Sequence, residues 1–156
     1  MIDAADRFEI LKLLSELEQA WRGLDFARIR ALWDASSDPI YFAEEAPHPL
    51  LDWKQLQDYW DLTGRMIEKM GMQILDEPKL VALAPDLVTA VYSMHWDAVV
   101  RGDARPMGGD NRVCATLRRT RAGWRFAQYV ESPLAPIAYM RLLYERATTP
   151  GFVPGR

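Results

Sequence analysis

Through the first seventy or so positions the apolar residues recur with a helical period, and beyond them they alternate. Ile10, Leu13, Leu14, Leu17 and Trp21 fall on one face of a 3.6-residue repeat, with Asp3 placed to cap that helix and Gly23 to end it. Asp25 opens a second, shorter helix that carries Phe26, Ile29 and Trp33 on one side. Ile40-Tyr41-Phe42 reads as a short strand, followed by a Pro-flanked loop as far as Pro49. Asp52 with Gln55 three residues later fits a capping box for a third helix. Its apolar face is Leu56, Tyr59, Trp60, Thr63 and Ile67, and Gly71 is its expected stop.

The second half predicts strands. Residues 72–83 form one candidate, interrupted at Pro78, which belongs at an edge or bulge. Residues 87–100 alternate, with Val88, Ala90, Tyr92, Met94, Trp96 and Ala98 on one face and Thr89, Val91, Ser93, His95, Asp97 and Val99 on the other. A turn over 101–109 leads to strands at 111–119 and 124–132, joined across Arg121-Ala122-Gly123. Pro136 starts a last short helix with Ile137, Met140, Leu143 and Tyr144, and the chain from Thr148 is expected to be a flexible tail. With no repeat or linker, residues 1–147 read as one α+β domain. To bury the apolar helix faces the antiparallel sheet must curl around the helices. The result is a cone-shaped α+β barrel, three N-terminal helices on a curled sheet with a short C-terminal helix, and a pocket at its mouth.

Composition agrees with that picture. A chain of 156 residues can bury a core without disulfides, and 49% hydrophobic residues with six Trp argue against disorder. No apolar run approaches the ~20 residues of a membrane span, and the start Met1-Ile2-Asp3-Ala4-Ala5-Asp6 lacks a secretory signal's basic lead. The single cysteine, Cys114, leaves no internal disulfide, so a cytoplasmic protein is expected. A net charge of −3 disfavours nucleic acid as a partner, and Arg118, Arg119, Arg121 and Arg125 read as a solvated turn.

Four stretches resemble the nuclear transport factor 2-like superfamily (SnoaL-like, ketosteroid-isomerase-like). They are Leu24-Asp25-Phe26 at the second helix, Asp38-Pro39 before Ile40-Tyr41-Phe42, the strand Arg112-Val113-Cys114-Ala115-Thr116-Leu117-Arg118-Arg119, and Gly123-Trp124-Arg125-Phe126 through Glu131-Ser132-Pro133. Their order spans about residues 5–135. The resemblance implies the cone fold with a small-molecule pocket. The oligomerisation domain of calcium/calmodulin-dependent kinases shares the signature, so the fold alone does not imply an enzyme. Related sequences often carry His where this chain has Gln128 and Val130, and a role resting on those histidines does not transfer.

Candidate chemistry is sparse. His48 and His95 are the two histidines, on different elements without ligand spacing, so no metal is expected. No phosphate loop, nucleophile elbow or dinucleotide fingerprint occurs, and no cofactor is expected. Cys114, mid-strand, reads as a small hydrophobe. His95 with Asp97 two residues on suits proton abstraction next to a carbonyl, and His95 matches a pocket arginine of the kinase oligomerisation domain. Arg112 and Tyr41 suit stabilisation of developing oxyanion charge. By the resemblance, Glu44 or Glu45 near the first strand is a candidate base. Trp21, Phe42, Trp60 and Glu131 are assigned to the substrate pocket, and Trp33 and Trp96 to core or cavity. Alternation does not choose which face of 87–100 looks inward. If the other face is the inner one, His95 and Asp97 decorate solvent or a dimer contact.

The expected function is a cofactor-independent isomerase, dehydratase or cyclase acting by general acid–base catalysis on a hydrophobic carbonyl compound. The alternatives are a non-catalytic ligand-binding or oligomerisation module, and a small subunit of a larger complex. A homodimer is expected under each.

Overall fold

A computed structural model of the chain describes residues 2–134 and 137–150. Helix α1 (Ala4–Arg22) is capped by Asp3, whose carboxylate accepts from the Asp6 N–H at 2.8 Å, and ends at Gly23. Helix α2 (Phe26–Ala31) is capped in the same way by Asp25, which accepts from the Arg28 N–H at 2.9 Å. Strand β1 (Ile40–Phe42) follows, then α3 (Trp53–Met66), where Asp52 accepts from the Gln55 N–H at 2.7 Å. The Gln55 side chain reaches back to the Leu51 N–H at 2.8 Å, one residue before the cap itself.

α3 stops earlier than its sequence suggests. Ile67, expected on the helix face, has extended backbone (φ −90°, ψ 127°), and the Met66 carbonyl accepts from the Arg101 N–H at 2.8 Å. Residues from Ile67 onward pair with a neighbouring strand instead, a tertiary ladder that outweighs helix propensity. Gly71, the expected helix stop, therefore sits inside β2 (Ile67–Ile74), opposite Asp97.

The expected single strand over 72–83 is two. Pro78 lies in the corner between β2 and β3 (Lys79–Ala84), and both run antiparallel to β4 (Leu87–Val100). β3 takes the first half of β4, with Val81 opposite Thr89. β2 takes the second, with Gln73 opposite His95. β5 (Met107–Thr120) and β6 (Gly123–Pro133) complete an antiparallel meander, and β1 adds in parallel to β6, giving the order β1-β6-β5-β4-β2. The sheet curls around the helices without closing. The last helix, α4 (Ile137–Arg146), is exposed over residues 141–146. Pro136, its expected first residue, and most of the expected tail lie outside the described residues. No helix among those described is long and apolar enough to cross a membrane.

The helix faces and one sheet face meet in a single core. Ile10, Leu13, Leu14, Leu17 and Trp21 of α1 and Leu56 and Trp60 of α3 are buried against Val88, Ala90, Tyr92 and Met94 of β4 and Val113, Ala115 and Leu117 of β5. Truncating a fully buried aromatic here, such as Trp60 or Phe126, costs about 3–5 kcal/mol.

One irregularity decides what β6 contributes. Thr116 pairs with Gln128 but Leu117 pairs with Phe126, so Ala127 is an extra residue in the ladder. Such a bulge reverses the alternation. Trp124 and Phe126 face inward before it, and Tyr129 faces inward after it, which carries Glu131 to the inner face as well.

Two arginines of the expected solvated cluster are paired. Arg118 donates to the buried Asp34 at 2.7 Å, and Arg119 is ion-paired with Asp6. Burial pushes the Asp34 carboxyl up, but two hydrogen bonds from Ser36 and the Arg118 guanidinium outweigh it and hold the pKa below the usual value.

Candidate functional site

Where β1 pairs with β6, polar groups enter an otherwise apolar interior. The parallel pairing of β1 with β6 puts Tyr41 beside Tyr129, and Glu131 follows two residues later. The Tyr41 hydroxyl donates to Glu131 Oε1 at 2.8 Å, and the Glu44 backbone N–H donates to Oε2 at 3.2 Å. Burial pushes the Glu131 pKa up to about 8. The two hydrogen bonds oppose that shift, and the nearby Glu45 and Glu44 carboxylates add to it. A carboxyl in this state exchanges a proton near neutral pH, which an exposed glutamate does not.

The surrounding hydroxyls are held in their neutral form. Burial first, and the Glu131 charge second, push the Tyr41 pKa well above the phenol range. Tyr59 of α3 donates to Glu45 at 2.8 Å, and its pKa is raised by burial and then by the Glu45 charge. Tyr92 donates to the Tyr129 hydroxyl at 3.0 Å, which donates on to Met94 Sδ at 3.6 Å.

Behind Tyr41 lies a cavity lined by Leu17, Trp21, Ile29, Trp33, Tyr41, Trp60 and Tyr129. Its volume is about 10 Å³, room for roughly one water molecule. Aromatic rings pack against one another around it, with Trp33 edge-on to Trp60 and Tyr41 at 6.5 and 6.1 Å between ring centres. A larger guest enters only if these rings move.

Two further polar residues lie one strand away. Asn111 on β5 is 1% exposed, and Trp96 on β4 lies beside it with its indole against Gly109. Neither the Asn111 side-chain atoms nor Trp96 Nε1 has a hydrogen-bond partner among the described residues. The Glu44 carboxyl is raised by burial and by Glu45. Its nearness to Asn111 and Trp96 works the other way, although neither reaches hydrogen-bonding geometry.

The residues expected from the sequence divide between the two faces. Tyr41, Trp21, Trp60 and Glu131 are in the interior, and Glu44 is close to it. His95, Asp97 and Arg112 are on the outer face, because the buried row of β4 is Val88, Ala90, Tyr92, Met94 and Ala98. There His95 meets Asp110 through Nδ1 at 2.7 Å and Asp97 through Nε2 at 3.3 Å. The Asp110 hydrogen bond, with Asp97, raises its pKa. Arg112 donates to Ser132 Oγ at 3.0 Å. Cys114, read as a buried hydrophobe, is exposed on the same outer row. Phe42 alternates with Tyr41 and so points outward, 41% exposed. Asn111 escaped the sequence reading, although a polar residue at the head of the apolar row Val113, Ala115, Leu117 was the available signal. Among the described residues no group of three or more His, Cys, Asp or Glu is placed to hold a metal.

A family model described as "SnoaL-like domain" matches residues 10–136. No curated protein sequence matches the chain. Among solved structures, a nuclear transport factor 2-like superfamily protein from Salmonella enterica serovar Typhimurium superposes with a TM-score of 0.77 at 16% identity, covering 85% of this chain and 94% of that one. A hexachlorocyclohexane dehydrochlorinase gives 0.70 at 14% identity over 84% and 90%. A protein from Xanthomonas campestris, described as a calcium/calmodulin dependent protein kinase II association domain, gives 0.68 at 11% identity over 81% and 86%. At these identities the likeness is one of fold.

Proposed function

We infer, for a chain that belongs to the SnoaL-like domain family, that the inner face where β1 meets β6 is an acid–base site for a small apolar molecule bearing a carbonyl group. Glu131 is its proton carrier. The reading is carried by one observation, the Glu131 carboxyl enclosed at the rim of an aromatic interior, bonded to Tyr41 at 2.8 Å, with its pKa near 8. As a carboxylate, Glu131 takes a proton from the carbon next to the carbonyl, and the C–H electron pair moves into the enolate. Once protonated, Glu131 no longer holds the Tyr41 hydroxyl as an anion does, so that hydroxyl turns to the oxygen on which charge develops. Returning the proton to another carbon gives isomerisation, and expelling a group from the β-carbon gives elimination. Neither outcome needs a cofactor. The fold also carries a dehydrochlorinase among its solved members.

His95, Asp97 and Arg112 stand outside this scheme, since the outer row does not reach the Tyr41–Glu131 pair. A homodimer in the cytoplasm remains our proposal for the assembly. The exposed Val81, Leu83 and Val91 on β3 and β4 are the apolar surface for it.

A second reading is favoured by the 10 Å³ cavity. An interior so closely packed by its own rings suits a non-catalytic ligand-binding or association module, as the kinase association-domain likeness illustrates. Proton exchange separates the two. Cyclic apolar ketones incubated with the protein in D₂O are followed by NMR for deuterium uptake next to the carbonyl. The acid–base reading expects catalysed uptake that falls at least 100-fold in Glu131→Gln. The second reading expects uptake at the buffer rate with and without the substitution.

A further inference from the structure

Asn111 and Trp96 are unlike the other polar groups of the interior. Two side chains sit side by side on one inner face, their two donor groups near the Glu44 carboxyl but short of hydrogen-bonding geometry, and their one acceptor, Asn111 Oδ1, without a partner among the described residues. Leaving such groups bare in a core costs stability, and native chains rarely keep two together. The register explains their proximity. Met94 lies opposite Asn111 and Trp96 opposite Gly109, so Trp96 and Asn111 are diagonal neighbours across β4 and β5. The indole packs 3.6 Å from where a side chain at position 109 would begin. On the far side of β5, Glu131 lies opposite Val113, the next inner residue after Asn111.

We propose that Asn111 and Trp96 receive a hydroxyl group, so that the molecule taken up is an apolar ring compound carrying a hydroxyl as well as a carbonyl. This rests on the reading of the interior as a small-molecule site. The choice of group follows from counting donors and acceptors. Asn111 Nδ2 and Trp96 Nε1 offer N–H groups, while Asn111 Oδ1 needs a donor. A hydroxyl oxygen accepts from both and its O–H donates to Oδ1. A carbonyl oxygen leaves Oδ1 bare. A carboxylate does the same and adds negative charge beside Glu44 and Glu131. An ammonium group satisfies Oδ1 and strands both donors. Trp21, Trp33 and Trp60 line a cavity with room for about one water, so a ring compound takes its place among them only as they move apart.

Phenol and toluene test the idea, because they share a shape and differ by a hydroxyl in place of a methyl. Each is titrated into ¹⁵N-labelled protein while the Trp96 indole N–H and the Asn111 side-chain amide are followed, Trp96→Phe assigning the former. Phenol is expected to bind at least tenfold more tightly than toluene and to move both resonances. Asn111→Leu is expected to keep toluene binding, to lose the tenfold preference, and to melt at a higher temperature than the parent, because an unpartnered amide is gone. Trp96→Phe, a second variant with its own packing, is expected to cut the preference at least threefold. Equal binding of the two rings, binding of neither, or a preference that survives both variants would overturn the proposal. So would an Asn111→Leu variant that melts lower while neither probe moves the amide, the outcome for an asparagine holding a structural water only. Glu131→Gln keeps the phenol preference under this scheme. Loss of ketone exchange with the preference intact therefore counts for the acid–base reading alone, and exchange without a preference for phenol overturns the hydroxyl site alone.

Discussion

Tyr41 and Glu131 lie ninety positions apart in the chain and 2.8 Å apart in space, because β1 runs parallel to β6 and the two strands place them on one inner face. The bond joins a strand of three residues to a carboxyl whose proton affinity burial has moved toward neutrality. Removing it as Tyr41→Phe deletes an interaction that favours the carboxylate. The Glu131 pKa is then expected to rise by about 0.5–1 unit, and stability at pH 7 to fall by about 1 kcal/mol. A pH titration of the variant and a denaturant melt check the two effects. An unchanged pKa would mean that the hydroxyl does not govern the carboxyl.

The pKa of Glu131 also sets a stability slope. Folding raises it from 4.5 to about 8, so the native state binds the proton more tightly than the unfolded chain. Its contribution is complete below pH 4.5 and is lost as pH rises toward and through 8. The sum across that range is of the order of a few kcal/mol. Glu131→Gln keeps the shape and stays neutral. It is expected to match the parent at pH 5 and to melt higher than the parent at pH 9. His95, with its raised pKa, gives a slope of the same sign, so His95→Gln is the control that separates the two. Identical slopes in parent and Glu131→Gln would contradict the account.

Ala127 is an extra residue in the ladder between β5 and β6. Deleting it leaves Gln128 directly after Phe126, so the alternation is regular, the partners on β5 are unchanged, and Tyr129 and Glu131 still face inward. The deletion is therefore expected to keep the Glu131 pKa near 8 and to cost less than about 3 kcal/mol. A pH titration and a denaturant melt check the two effects. A Glu131 that titrates as an exposed glutamate in the deletion variant would show that the bulge itself, and not the count of residues along β6, sets the facing.

Much of the architecture was legible in the sequence. The three Asp caps, the short strand at Ile40–Phe42, the alternation over 87–100 and the apolar stripe on α1 all depend on neighbours in the chain, and they appear where those neighbours put them. What failed depends on partners distant in sequence. Ile67 sits in a helical pattern until β4 offers a ladder, and Gly71 reads as a stop when it is a strand residue facing Asp97. The placement of the candidate residues was legible by half. Tyr41, Trp21, Trp60 and Glu131 reach the interior, but alternation gives two faces without saying which is inner. His95 and Asp97 drew attention because they are chemically able, while Asn111 drew none because a single polar residue at a strand start looks like its end. A bulge at Ala127 leaves no mark in composition, so nothing in the sequence separated Glu131 from an outward glutamate.

The outer row gives a discriminating pair of substitutions. His95→Ala and Arg112→Ala are expected to leave ligand binding and proton exchange within about twofold of the parent. Glu131→Gln abolishes exchange. Melting shifts against the ketone series and exchange rates check this, since a ligand at 100 times its dissociation constant adds about 2.7 kcal/mol. Loss of exchange in His95→Ala with Glu131→Gln unaffected would move the chemistry to the outer face.

The most direct test is the proton itself. Carboxyl ¹³C NMR of protein labelled at glutamate, with the Glu131 signal assigned by its absence in Glu131→Gln, is followed from pH 4 to pH 10. An inflection near 8 is the predicted result and makes Glu131 a proton carrier at physiological pH. An inflection near 4.5 would mean an ordinary solvated carboxylate at the end of β6, and the acid–base account would fall with it.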